Sequence, residues 1–323
     1  MNDNQYIVKL ITEENEIVRD YNIFDSVIGQ SEACNKLAFL VQSHSKLTPF
    51  PPVILAGSAG LGKNYLAQKI AESLGRELVV VNCATCRTAK GFISEVLFGK
   101  MLGKKSKTIL LDEAHELSDE ITTILLTLLN PTPENKNYLS YQNWIVEFDL
   151  SEINVLFGTT HHHLLFSPLS NRCTEIYLHP YKNKDLYRIL KSYLPGVSLR
   201  ASRHSLSMAC RGRARDAFLL AQNIKRYVAM RNTKVLDAKG WAELSNIFGI
   251  HEDGLTSQEI ELLKALKAHS PTSCHNLSIA LMVDEKNIES EIELHPKRLD
   301  LMANGPRGRY LTENGAKYLE KIT

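Results

Sequence analysis

Apolar residues recur along this chain in two rhythms. Short, largely apolar runs at Val53 to Ala56, Leu78 to Val81, Thr108 to Leu111, Val155 to Gly158 and Glu175 to Leu178 have the form of buried strands. Between them, residues such as Ile121, Leu125, Leu126 and Leu129 return every three or four positions, as on one face of a helix. Strands alternating with helices predict an α/β fold, a three-layer arrangement around a parallel sheet. From Pro180 to Ile250 the strand signals vanish. Leu186, Ile189 and Leu190, then Ala217, Leu220, Ile224 and Val228, mark a separate helical domain. After Asp253-Gly254, Thr256 with Glu259 forms a capping box that opens a helix carrying Ile260, Leu263 and Leu266. Two further helical patterns follow, then Gly305-Pro306-Arg307-Gly308-Arg309 between the apolar stretches Leu299 to Ala303 and Tyr310-Leu311. Helices followed by a hairpin with a basic tip have the form of a winged helix. The expected domains are 1–179, 180–250 and 251–323, with no internal repeat or low-complexity linker.

Composition narrows the class. A length of 323 residues suits two or three domains, and shares of 44% hydrophobic and 23% charged residues are those of a soluble globular protein. No apolar run approaches a membrane span, and Met1-Asn2-Asp3-Asn4-Gln5 lacks the basic and apolar regions of a signal peptide, so a cytoplasmic location is expected. The net charge of +2 neither demands nor excludes nucleic acid, which leaves DNA binding to local patches. The six cysteines are expected to be free thiols. Cys83-Ala84-Thr85-Cys86 admits a redox reading, but no second close pair completes a zinc site. His161-His162-His163 is expected in a surface loop, because neighbouring side chains diverge on extended backbone.

Chemistry concentrates in two places. Gly57-Ser58-Ala59-Gly60-Leu61-Gly62-Lys63-Asn64 lies between the first strand and a helix, where glycines let backbone N–H groups curl around phosphate oxygens and Lys63 adds a point charge. Asn64 stands where a Ser or Thr hydroxyl ordinarily meets Mg²⁺. Its amide oxygen can reach the metal, yet a longer planar group fits a tight octahedral site less well. Thr108-Ile109-Leu110-Leu111-Asp112-Glu113-Ala114-His115 ends a strand in two carboxylates, placing Asp112 to hold the metal and Glu113 to polarise an attacking water. The letters Asp-Glu-Ala-His also occur in two-lobed helicases. Those need a second nucleotide-binding lobe, and here the rest of the chain turns helical.

Further on come Gly158-Thr159-Thr160 and Ser167-Pro168-Leu169-Ser170-Asn171-Arg172. With these the chain resembles the RuvB-type branch-migration motors, AAA+ ATPases that act on Holliday junctions. Phe24 to Gln30 resembles the family's adenine pocket, Leu55 to Ala67 its phosphate loop, and Asp112 to His115 its acidic motif. Gly158 to Arg172 resembles its first sensor and arginine finger, Arg211 to Arg215 its lid sensor, and Pro306 to Arg309 its wing. The resemblance implies ATP and Mg²⁺ as cofactors. Lys63 and the amides of Gly60, Leu61 and Gly62 hold phosphates, with Gly57, Asn64 and Tyr65 completing the loop. Asn64 and Asp112 serve the metal, Glu113 the water and Thr159 the γ-phosphate. Ile28 and Tyr181 pack on adenine, Arg215 reaches the γ-phosphate from the lid, and Arg172 reaches a neighbouring subunit's nucleotide in a hexameric ring.

Departures from the family pattern carry their own expectations. Asn64 implies slow or absent hydrolysis. Ser170 replaces an arginine, Asn171-Arg172-Cys173 leans toward clamp loaders, and the family's basic segment before Phe24 is matched only by Arg19. The hairpin expected across Asn130 to Leu150, which in the family docks on the junction-binding partner RuvA by an apolar tip, reads as having a polar tip at Pro133 to Asn137. Tyr138, Leu139, Tyr141 and Trp144 are then placed on its returning arm. A standard RuvA is therefore doubtful as a partner. Asp284, Glu285, Glu289, Glu291 and Glu293 on the groove-facing helix argue against base reading, whereas Arg307 and Arg309 suit a sequence-independent grip on duplex or junction DNA. An ATP-driven DNA translocase follows, with an ATP-gated loader or scaffold on DNA as the alternative.

Overall fold

The computed structural model describes residues 22–45, 47–86, 88–101, 106–130, 132, 136–141 and 144–322, by backbone alone at 22, 141, 144 and 146. The chain divides into two compact units, Met1–Tyr181 and Lys182–Thr323.

The first unit is built on strands β1 (Val53–Ala56), β2 (Glu77–Asn82), β3 (Lys107–Asp112), β4 (Lys136–Tyr141), β5 (Trp144–Asp149), β6 (Ile153–Thr159) and β7 (Thr174–Tyr177). Five of them form one parallel sheet in the order β2-β3-β6-β1-β7. Alternate residues of each strand serve opposite faces. Ile54, Val81, Ile109, Leu111, Val155 and Phe157 pack with Phe92 and Val96 of the helical stretch Phe92–Met101 and with Ile121 and Leu125 of helix Asp119–Leu128. Val53, Leu55, Leu110, Leu156 and Ile176 pack with Leu37 of helix Ser31–Gln42 and with Leu66 and Ile70 of helix Lys63–Ser73. Burial on both faces is why the central strands β1, β3 and β6 read as apolar runs, whereas the edge strands β2 and β7 keep exposed positions such as Val80 and Tyr177. The register pairs Asp112 with Gly158 and Ala56 with Thr159, so the loops that follow β1, β3 and β6 leave from one edge of the sheet.

The hairpin β4–β5 is antiparallel, with Lys136 opposite Asp149 and Tyr141 opposite Trp144. This corrects the position expected for the tip, though its residues, Gln142 and Asn143, are polar as well. Lys136 and Asn137 begin the first arm, residues 133–135 lie outside the described residues, and the connection is 142–143. Tyr138 and Leu139 consequently sit on the outgoing arm. Tyr138 and Ile145 of the returning arm are 54% and 76% exposed, two apolar groups at the surface of the hairpin.

The second unit contains helices Asn183–Ser192, Arg203–Ala209, Ala214–Met230 and Ala238–Ile247. Leu186, Ile189, Leu190, Ala217, Leu220, Ile224 and Val228 face inward, as the periodicity predicts. It also holds a pair of two-residue parallel strands that periodicity cannot register, β8 (Ser198–Leu199) and β9 (Val235–Leu236). The same unit continues into Ser257–His269, opened by the Thr256–Glu259 capping box, and Cys274–Leu281, then a helical stretch from Glu285 to Arg298. The wing follows as β10 (Met302–Gly305) and β11 (Gly308–Leu311), before a last helix, Glu313–Ile322. Among the described residues no helix is long and apolar enough to cross a membrane.

Candidate functional site

The loop after β1 delivers the helix Lys63–Ser73 with Gly62 at its N-cap in a left-handed conformation, φ 101°, which a side chain adopts only under strain. Lys63 is buried, and its ammonium folds back onto the carbonyls of Gly57 and Ser58 at 2.7 and 3.3 Å. Leu61 is buried under the loop, and its carbonyl accepts the Tyr181 hydroxyl at 3.0 Å. Gln30, in left-handed backbone, grips residue 179 from both sides. Its Nε2 donates to the His179 carbonyl at 2.7 Å and its Oε1 accepts the His179 N–H at 3.1 Å. This clamp ties the half-buried Gly29 and Ile28 segment to the strand end that leads to Tyr181. Tyr65 is half exposed, with the Lys69 ammonium 5.7 Å from its ring centre.

Asp112 ends β3 with one carboxylate oxygen accepting the Asn64 amide at 3.2 Å and the other the Glu113 N–H at 3.1 Å. Gly158 on β6 leaves room for it, because a Cβ there would lie 2.8 Å from Asp112 Oδ1. Glu113 is held in left-handed backbone, φ 54°, and its Oε2 accepts the Thr160 hydroxyl at 3.2 Å. Thr159 is fully buried, its Oγ1 accepting the His161 N–H at 3.1 Å and lying 3.2 Å from His115 Nδ1.

Histidines complete this end of the site. His161 Nδ1 lies 3.3 Å from His115 Nε2 and 2.9 Å from Thr160 Oγ1, and the two rings meet edge to face at 4.7 Å. Burial, reinforced by the neighbouring His161, pulls the His115 pKa below its usual value despite Glu113. His161 lies exposed in the loop, as the surface-loop expectation has it, but its ring packs on His115 instead of pointing freely into solvent. The run still does not converge on a metal: His162 turns to Glu175 at 3.0 Å and to the Tyr177 ring, and no metal-binding cluster occurs among the described residues. The Cys83 thiol is pushed up to about 12, chiefly by burial, which opposes a redox role for the Cys83-Cys86 pair.

Arg172 stands just beyond the short helix Ser167–Ser170. Its Nη2 is 3.5 Å from the Asn130 side-chain oxygen, and its Nη1 is buried without a hydrogen-bond partner among the described residues. A buried guanidinium nitrogen left unsatisfied is a group short of an anionic partner. In the second unit Arg215 is exposed in the first turn of Ala214–Met230, without a described partner.

The two wing arginines part company. Arg307 is exposed in the turn, without a described partner. Arg309 is committed: its Nε donates to Glu293 at 2.9 Å, its Nη2 to Glu289 at 2.7 Å, and its backbone pairs with Thr272. Burial works against its charge, but the two carboxylates outweigh this and hold its pKa above the ordinary value. The expectation that Arg309 grips phosphates needs correcting for this arrangement, since its charge is already neutralised. For the same reason the acidic helix repels less than its composition implies. Glu293 also binds Lys297, Glu291 lies 3.5 Å from Arg213, and Glu285 meets His275 at 3.0 Å.

Comparison with known proteins agrees with both parts of this picture. The profile of the RuvB C-terminal winged helix domain matches residues 252–320, and that of the AAA domain (dynein-related subfamily) matches residues 52–164. The Holliday junction branch migration complex subunit RuvB of Ehrlichia canis is 27% identical, over 93% of this chain and 92% of its own length. The protein of the same name from Wolbachia sp. subsp. Brugia malayi is also 27% identical, over 94% and 95%. The structure of the Thermotoga maritima RuvB Holliday junction branch migration motor shares the fold, with a TM-score of 0.76 at 23% identity over 94% of this chain and 98% of that one.

Proposed function

We infer that this chain, a divergent RuvB-type AAA+ protein, is an ATP-driven motor that moves duplex DNA during Holliday junction branch migration. The observation that carries the reading is positional. Lys63, Asp112, Glu113 and Thr159 lie at or just beyond the ends of three neighbouring strands, β1, β3 and β6, at one edge of the sheet, in a chain that also has a RuvB-type winged helix. Lys63 exchanges two loop carbonyls for the β and γ phosphates of ATP. Asp112 and the amide oxygen of Asn64 are the groups available to Mg²⁺, which neutralises charge on the phosphates when bound. Glu113 orients the attacking water once Thr160 releases it, and Thr159 and Arg215 serve the γ-phosphate. Arg172, with one nitrogen unsatisfied in its own subunit, reaches a neighbour's nucleotide in a ring. Ile28 and Tyr181 flank adenine, and Arg307 contacts the DNA backbone. The exposed Tyr138 and Ile145 give the hairpin an apolar surface for a junction-binding adaptor, which supports a RuvA-like partner more than the sequence pattern does. A cytoplasmic location belongs to the same reading.

Two contacts favour a second function, an ATP-gated loader or scaffold on DNA with little turnover. Asn64 spends its amide on Asp112, and Thr160 occupies Glu113, so both groups needed for hydrolysis are engaged. ATP turnover by the full chain with and without a synthetic four-way junction separates the two. A motor shows turnover that the junction stimulates, whereas a loader shows ATP-dependent assembly with a flat, low rate.

A further inference from the structure

The segment Arg211 to Arg215, which carries the exposed Arg215, has no side-chain cap of its own. Helix Arg203–Ala209 ends, Arg211 and Gly212 turn through left-handed backbone at φ 52° and 76°, and Ala214–Met230 begins from Arg213 without a side-chain hydrogen bond at its N-cap. Besides its own backbone bonds from the Arg211 and Arg213 amides to Met208 and Cys210, the turn is held by side chains of the C-terminal domain of the same unit. Arg298 Nη1 donates to the Arg211 carbonyl at 2.7 Å, so close that a Cβ on Gly212 would overlap the guanidinium. The Arg211 guanidinium binds Glu259, a carboxylate with 1% exposure, whose other oxygen already accepts the Thr256 N–H at 2.7 Å in the capping box. Arg213 spans Asp216 at 2.7 Å and Glu291 at 3.5 Å.

The support continues behind Arg298. Its Nη2 lies 3.0 Å from His295 Nδ1, and His295 Nε2 lies 2.8 Å from the Asp253 carbonyl. A guanidinium only donates and a carbonyl only accepts, so the imidazole is neutral with its proton on Nε2. A continuous line of donors and acceptors then runs from Asp253 through His295 and Arg298 to Arg211. Such a line fixes orientation more firmly than one ion pair, because each member's geometry is set by the next.

We propose that Arg298 and Glu259 of the C-terminal domain are positioning residues for the lid segment, setting the orientation from which Arg215 meets the γ-phosphate. The DNA-binding domain thereby bears directly on the sensor of the nucleotide site. This rests on the reading of Arg215 given above, and its test is arranged so that the two can fail separately.

Full-length R298A, R298K, E259Q, R215A and the R298A/R215A double variant are compared for ATP turnover, thermal melting, and hydrogen exchange at the Arg211 and Arg213 amides. These amides bond to Met208 and Cys210 at 2.9 Å each. R298A is expected to lower kcat about tenfold, the scale of one charged hydrogen bond, with KM for ATP changed less than about twofold. R298K, which can still donate to the Arg211 carbonyl, recovers part of the loss. The double variant turns over no more slowly than R215A, because Arg298 acts through Arg215. Parent-like turnover in R298A beside an impaired R215A, or losses that multiply in the double variant, overturns the proposal. If R215A is itself silent, the sensor role falls. The positioning claim is then decided by exchange at the two amides: faster in R298A and E259Q supports it, unchanged overturns it. R298K guards against a folding defect, since it keeps the charge and is expected to melt with the parent.

Discussion

Removing the Arg309 guanidinium is predicted to act on stability first. Arg309 is 13% exposed and meets two carboxylates of different character: Glu293 is 4% exposed, whereas Glu289 is 57% exposed. Breaking a buried pair costs about 3–5 kcal/mol, because the remaining charge is stranded. Here Lys297 stays on Glu293, and some solvent reaches the pair, so Arg309→Ala is expected to cost about 2–3 kcal/mol. The Glu289 contact adds at most about 1 kcal/mol, as exposed pairs do. For a unit of this size the loss corresponds to a fall of roughly 5–10 °C in the melting temperature. Arg307→Ala has no such partner to lose and should melt within about 0.5 kcal/mol of the parent. DNA binding is expected to show the reverse order. Arg307→Ala weakens it about equally on unrelated duplexes and flattens the salt dependence by about one unit of slope. Calorimetry with Glu289→Gln as the exposed-partner control, and binding titrations across a salt series, measure both effects. An Arg309→Ala protein that melts with the parent yet loses as much DNA affinity as Arg307→Ala would refute the strut and restore Arg309 to the DNA.

Three further outcomes follow. Asn64→Thr removes the amide that occupies Asp112 and supplies a hydroxyl, so Mg²⁺-dependent turnover should rise several-fold with ATP binding little changed; a fall in turnover shows that Asn64 is used productively. Burial, with the surrounding arginines, pushes the His295 pKa down to about 4. Because the unfolded chain binds this proton first, the stability tied to the neutral imidazole is complete above about pH 6.5 and is lost as pH falls toward 4, about 3 kcal/mol at full titration. Urea titrations from pH 7 to 4 should show that loss in the parent and much less in His295→Gln; equal slopes contradict it. Arg172→Ala should reduce turnover by about three orders of magnitude without weakening ATP binding. Mixed with Glu113→Gln subunits it should regain activity, and verified mixed rings without rescue argue against a shared site.

Most of the parallel-sheet fold was legible because its central strands are buried on both faces: Val53 to Ala56 is apolar throughout, and the one polar residue of Thr108 to Leu111 is itself buried. The loop glycines, Lys63 and the Asp112-Glu113 pair were legible for a related reason, since their chemistry is local in sequence. What escaped depended on partners distant in the chain. The register that sets Asp112 beside Gly158 carries through the following residues to bring His115 against His161, and only the sheet order reveals it. Arg309 was counted as free charge because Glu289 and Glu293 reach it across the domain. The hairpin was misplaced because Pro133 to Asn137 has turn-forming residues, whereas the connection between Tyr141 and Trp144 contains neither Gly nor Pro.

The central claim is movement along DNA driven by ATP, and a fluorescently labelled four-way junction with mobile arms reads it directly. With the purified full-length chain, Mg²⁺ and ATP, the junction should resolve into duplexes at a rate that follows ATP hydrolysis. Lys63→Ala and a non-hydrolysable ATP analogue should both abolish it, because each removes the phosphate chemistry that powers the step. ATP-dependent assembly on the junction with no branch movement, with or without a RuvA-like adaptor supplied, would contradict the motor and leave the chain a loader.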